Sequence, residues 1–141
     1  MKGSLLVLSL AVFVSGCTTS YVGRNDATFW KRACEVGVEV CKYNFRDFEM
    51  HYKVTASGKA EYTVQGDIKV AKSLVGTLKT VDRLQVKLAY MDKGEVVLQN
   101  SVYTWGDIQE RNTFQKTFRS DKPILFSVPV EYAYRMTELS L

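Results

Sequence analysis

The residues in this 141-residue chain best suited to covalent or acid–base chemistry are three cysteines and a single histidine. Histidine titrates nearest neutral pH and is the usual general base. His51 lies between Glu49 and Lys53 in an alternating run, and neither Ser57 nor Ser101 sits in a G-x-S-x-G frame. A base without a positioned nucleophile and an orienting acid has no acyl transfer to perform. His51 is therefore read as a solvated surface histidine, and no catalytic residue is assigned. Cys34 and Cys41 have six residues between them, which with one histidine does not make a zinc ligand set. The C-x-x-C spacing of a redox pair is missing too. Gly106 to Asn112 carries Asp107 and Glu110 three apart, without the D-x-D-x-D-G frame of a calcium loop. That segment reads as a surface connection. No glycine loop is placed to cradle a phosphate, so no metal or cofactor is expected.

The third cysteine has a different context. Met1-Lys2-Gly3-Ser4 is a short, positively charged start, and Leu5 to Val14 is apolar except for Ser9. Ten residues of helix reach about 15 Å, and a bilayer core is about 30 Å thick. The stretch is too short to span a membrane and reads as the core of a signal peptide. Val14-Ser15-Gly16-Cys17 follows. This motif resembles the lipobox of bacterial lipoproteins: an aliphatic residue, two small residues, then cysteine. The resemblance implies a diacylglycerol on the Cys17 thiol, cleavage just before Cys17, and acylation of the new amino group. Residues 1–16 are then the signal peptide, and two or three acyl chains make a permanent anchor. In Gram-negative lipoproteins aspartate after the cysteine implies retention at the inner membrane. Thr18 stands there instead, which implies an outer-membrane anchor facing the periplasm.

Export bears on the two remaining cysteines. An exported domain meets an oxidising compartment, where a pair of thiols closes into a disulfide. A Cys34–Cys41 bridge is expected, and a loop of that size contributes about 2.5 kcal/mol in the chain-entropy treatment. Charge adds little. The formal net charge is +4, scattered without a basic stripe, so no nucleic-acid partner is expected.

Residues 17–24 read as a lipidated tether, their Thr, Ser and Gly content suiting a flexible spacer. Residues 25–141 read as one domain. Asn25 or Asp26 is placed to cap a short helix running to about Glu35, with Phe29, Trp30, Ala33 and Cys34 along one side. From Asp47 the apolar period becomes two. Phe48, Met50, Tyr52 and Val54 alternate with polar residues, as do Tyr62, Val64, Ile68 and Val70. An Ala56-Ser57-Gly58 loop with Gly58 left-handed would set Lys53 opposite Glu61 and Tyr52 opposite Tyr62. Asp92-Lys93-Gly94 repeats the logic, with Gly94 left-handed and Leu88 opposite Leu98. Two more alternating runs, Thr113 to Arg119 and Ile124 to Met136, flank an Asp121-Lys122-Pro123 turn. Pro129 marks an edge or a bulge in the last of them.

At least six strands with short turns and no helical crossovers need two layers to bury their apolar faces. The expected fold is all-β, an antiparallel β-sandwich with a short N-terminal helix. The stretch from Tyr62 to Tyr134 resembles the small immunoglobulin-like sandwich modules of bacterial lipoproteins, in pattern and without functional residues to carry over. Within the second hairpin Val97, Tyr103 and Trp105 share the parity opposite the apolar face. They point either outward, as a partner-contact strip, or under Phe29 and Trp30 of the terminal helix. The sequence thus points to a membrane-anchored cell-envelope lipoprotein, a non-catalytic accessory or scaffold that binds another envelope protein. The alternative is an envelope enzyme or a small-ligand carrier whose site is assembled from distant strands.

Overall fold

The structure, a computed structural model, describes residues 20–25, 31–38, 40–74, 79–106 and 108–138. The expected signal peptide, the lipobox-like motif with Cys17, and the Phe29–Trp30 part of the expected helix lie outside the described residues. Within them no helix is long and apolar enough to cross a membrane.

Eight strands follow one another: β1 (Cys34–Glu35), β2 (Cys41–Asn44), β3 (Phe48–Gly58), β4 (Glu61–Val70), β5 (Lys79–Met91), β6 (Val96–Trp105), β7 (Arg111–Arg119) and β8 (Phe126–Glu138). They form two antiparallel four-stranded sheets. Sheet A has the order β1-β8-β5-β6, and sheet B the order β2-β3-β4-β7. The chain changes sheet between β1 and β2, between β4 and β5, between β6 and β7, and between β7 and β8. The pairs β4–β7 and β5–β8 therefore interlock across the two layers of an antiparallel β-sandwich. The period-two runs supply its interior: Met50, Tyr52, Val54, Val64, Ile68, Leu84, Val86 and Leu88 are all buried.

Three local expectations are corrected. Of the expected helix, only Lys31 and Arg32 are helical among the described residues, and Cys34–Glu35 pairs with Ser127 and Phe126 as a strand. Backbone pairing to β8 and burial of the Cys34 side chain outweigh the weak amphipathic helical signal. Neither Gly58 nor Gly94 is left-handed; the residue at positive φ in the first hairpin is Ala60, at 57°. The reversal therefore sits at Lys59–Ala60, and β3 runs on through Gly58. Lys53 faces Gln65 and Tyr52 faces Gly66, four positions from the expected register. In the second hairpin a bulge at Val97 sets Leu98 opposite Tyr90 and Leu88 opposite Asn100. Both slips are even, so the apolar residues within each regular stretch keep their face. Beyond the bulges Val96, Phe126 and Val128 turn to the outer face, and Val97 turns to the core.

Gly66 shows why the first register is where it is. A Cβ there would stand 2.7 Å from the Tyr52 Cα and Cβ. Only glycine lets β3 and β4 approach this closely. Pro129 pairs with Leu88 next to a register shift in β8, in the bulged setting its missing N–H requires.

The disulfide expected between Cys34 and Cys41 is present, with 6.1 Å between the Cα atoms. It joins β1 of sheet A to β2 of sheet B. Cys34 is the cross-strand partner of Ser127, and Cys41 that of Tyr52. The Tyr52 hydroxyl in turn bonds the Ser127 hydroxyl at 2.9 Å, fully buried. A covalent and a polar link thus cross the sandwich side by side.

Candidate functional site

The outer face of sheet A divides into two ends. At the end nearest the β5–β6 turn, Ala89, Met91, Val96 and Val128 form a second apolar cluster, packed under Tyr21, Ala33, Tyr43, Phe126 and Val130. The expected flexible tether is in fact docked there from Tyr21 onward. Tyr21 to Arg24 closes a turn through Arg24 N–H to the Tyr21 carbonyl at 3.1 Å, with Gly23 at a φ of 87°. Gly23 N–H donates to the Val96 carbonyl at 2.8 Å, and Val96 N–H to the Arg24 carbonyl at 3.0 Å. Tyr21 N–H reaches Gln99 Oε1 at 2.6 Å, and its hydroxyl donates to Glu131 Oε1 at 2.7 Å. The Arg24 guanidinium lies over the Tyr21 ring. Buried apolar area under Tyr21 and these bonds together offset the chain entropy that a Thr/Ser/Gly composition had favoured.

At the other end the face is open. Tyr103 is 41% exposed and Trp105 64% exposed. Their rings stack at 5.6 Å between centroids and 18° between planes, and Arg83, the cross-strand partner of Trp105, lies 5.1 Å above the indole. Such a contact holds a guanidinium by the ring's negative face. Arg83 also reaches Gln85 Oε1 at 3.4 Å. Beside it Arg135 is paired with Asp82 at 3.1 Å, and Thr137 donates to the same carboxylate. These bonds hold the Asp82 carboxyl below the usual range, chiefly through Arg135. Val97 stands apart from the strip: displaced by the bulge, it is half-buried against the main core. So Tyr103 and Trp105 come together as expected, and Val97 does not join them. Arg83 was missed; its place on the row facing Trp105 follows only from the corrected register.

His51 is less solvated than its strand position suggested. Its Nε2 is 2.7 Å from Glu49 Oε1 and its Nδ1 3.8 Å from Asp67 Oδ1. Lys42 approaches Glu49 at 3.6 Å. Burial raises the Glu49 pKa, but the His51 hydrogen bond and the Lys42 charge together hold it below its ordinary value. His51 borders an open trough of about 560 Å³ across sheet B, with Lys53, Gln65, Asp67, Thr113 and Gln115 around it. Both ring nitrogens face carboxylates, and no serine or cysteine lines the trough. Among the described residues no group of three or more His, Cys, Asp and Glu side chains is placed to hold a metal ion. The expected surface connection after β6 is closed by Asn112, whose side chain accepts from Gln109 N–H and donates to the Gln109 carbonyl. Asp107 lies outside the described residues.

Comparison with known protein families, curated proteins and solved structures returns no match to this chain.

Proposed function

We propose that the chain is a lipid-anchored, non-catalytic accessory protein of the cell envelope. Cys17 attaches it to the outer membrane facing the periplasm, and it works by surface contact with another envelope component, as scaffold or assembly partner. The observation that carries this reading is the exposed Tyr103–Trp105 stack under Arg83. Trp, Tyr and Arg are the side chains that dominate contact energetics, and the docked N-terminal segment leaves them uncovered. The lipobox resemblance supplies the anchor, and the cross-sheet disulfide suits an oxidising compartment.

Fatty-acid labelling in cells tests the anchor: wild type takes up label, and Cys17→Ala takes up none and accumulates as precursor. A cellular assay tests the mode of action. Trp105→Ala loses function with labelling and fold intact, whereas His51→Ala keeps it. Loss of function in His51→Ala at unchanged protein level would replace this reading with the enzyme one.

A further inference from the structure

The docked segment fixes where the anchor leaves the domain. Tyr21 lies on the outer face of sheet A, over Ala89 and beside Gln99, with its hydroxyl on Glu131. Three residues separate it from Cys17, so the two Cα atoms are at most about 14 Å apart along a fully extended chain. The Tyr103–Trp105 stack shares that face. Gln99 to Trp105 along β6 is about 20 Å. The strip and the docked segment from which the anchor leaves therefore lie on one surface, on the side of the domain that a tether of at most about 14 Å keeps close to the membrane.

The chemistry of that surface matches a lipid headgroup region. Tyr and Trp pair an apolar body with a polar tip and concentrate at membrane–water interfaces. The described side chains of the face include the cations Arg24, Arg83, Lys87 and Arg135, against Asp82 and Glu131. The two carboxylates are engaged by Arg135 and Lys87. Arg24 and Arg83 lie over aromatic rings and have no carboxylate partner among the described residues. Guanidinium groups left over in this way are attracted to anionic lipid.

We propose that the outer face of sheet A rests on the bilayer to which Cys17 is anchored, with Tyr103 and Trp105 in the interface and Arg83 on anionic headgroups. This rests on the lipoprotein reading and names the component that the strip meets. Sheet B then faces the periplasm.

The test uses the lipidated full-length protein in vesicles of phosphatidylethanolamine and phosphatidylglycerol carrying a nickel-chelating lipid. Nitroxide labels are placed at Ala133→Cys, exposed on the outer face of sheet A, or at Gln115→Cys, exposed on that of sheet B. The expected result is several-fold stronger relaxation of the Ala133→Cys label, reduced by Trp105→Ala or by replacing phosphatidylglycerol with phosphatidylcholine. Equal relaxation at the two positions, or stronger relaxation at Gln115→Cys, overturns the proposal. So does an Ala133→Cys label that is untouched by the vesicle and crosslinks to a protein in intact cells. Fatty-acid labelling of the same variants separates the two readings: its failure removes the lipid anchor, whereas a labelled protein with the wrong face down removes only the orientation.

Discussion

The Tyr52 hydroxyl crosses the sandwich to reach Ser127, and both residues are fully buried. Burial pushes the Tyr52 phenol well above its usual pKa, with Tyr43 adding to the shift, so the group stays a neutral hydrogen-bonding hydroxyl. Removing the Tyr52 hydroxyl leaves that of Ser127 buried without this partner, which costs about 1–3 kcal/mol. Removing Ser127 leaves the Tyr52 hydroxyl with only its Tyr43 contact. Tyr52→Phe and Ser127→Ala are each expected to destabilise in that range. The double variant should lose clearly less than the sum, because the second removal deletes an already orphaned group. Urea unfolding of the four proteins checks this; strictly additive losses would show that the bond contributes nothing. His51 makes a useful contrast, since its polar contacts lie on the outside of sheet B. Exposed pairs of that kind contribute little to stability.

The N-terminal segment is held to β6 and β8 by few bonds, so its stability is local. Glu131 is the most sensitive of them. The Tyr21 hydrogen bond, and after it the Lys87 ion pair, hold its carboxyl below the usual range despite some burial. A depressed carboxylate pKa contributes stability that is fully present above the unfolded value of about 4.3 and is lost as pH falls through the lower folded value. Acid is therefore expected to loosen the docked segment. Tyr21→Phe removes the largest cause of the shift. In an NMR titration of the side-chain carboxyls, Glu131 should titrate below the ordinary range in wild type and move upward in Tyr21→Phe. The Gly23 and Val96 amides should exchange faster in the variant, because they bond across this contact. An unchanged Glu131 titration would contradict the assignment of cause.

Each sheet on its own exposes an apolar face, and the molecule exists because the two are pressed together. Interdigitated side chains do most of this, but the Cys34–Cys41 bridge ties strands of different sheets. Its loop predicts a loss of about 2.5 kcal/mol when the bond is removed. Urea unfolding of the double variant Cys34→Ala/Cys41→Ala, beside wild type with and without reductant, measures this. The sandwich should persist with lower stability, since the Tyr52–Ser127 bond and the core remain. No loss on either route would mean that the bridge does not restrain the unfolded chain.

Side-chain alternation was legible without coordinates. Period two identified which residues turn inward along the unbroken stretches, because neighbouring side chains in a strand point to opposite faces whatever the pairing partner. It failed for Val96, Phe126 and Val128, where bulges reverse the parity. The parity of Tyr103 and Trp105 followed in the same way, and the Cys34–Cys41 pairing followed from how few thiols the chain has. Register was not legible. Along an unbroken stretch an even slip keeps every apolar residue on its face, so there the hydrophobic pattern is the same for the expected and the observed pairings. What selected between them was steric: the backbone approach that only Gly66 permits, and the bulge at Val97. The fate of Cys34–Glu35 and of Tyr21–Arg24 was hidden for a related reason. Both are short and polar-flanked, and each takes its conformation from a distant strand, β8 for one and β6 for the other. The placement of Arg83 over Trp105 is of the same kind. It exists only once β5 and β6 are paired, because tertiary packing brings together groups that sequence spacing leaves more than twenty residues apart.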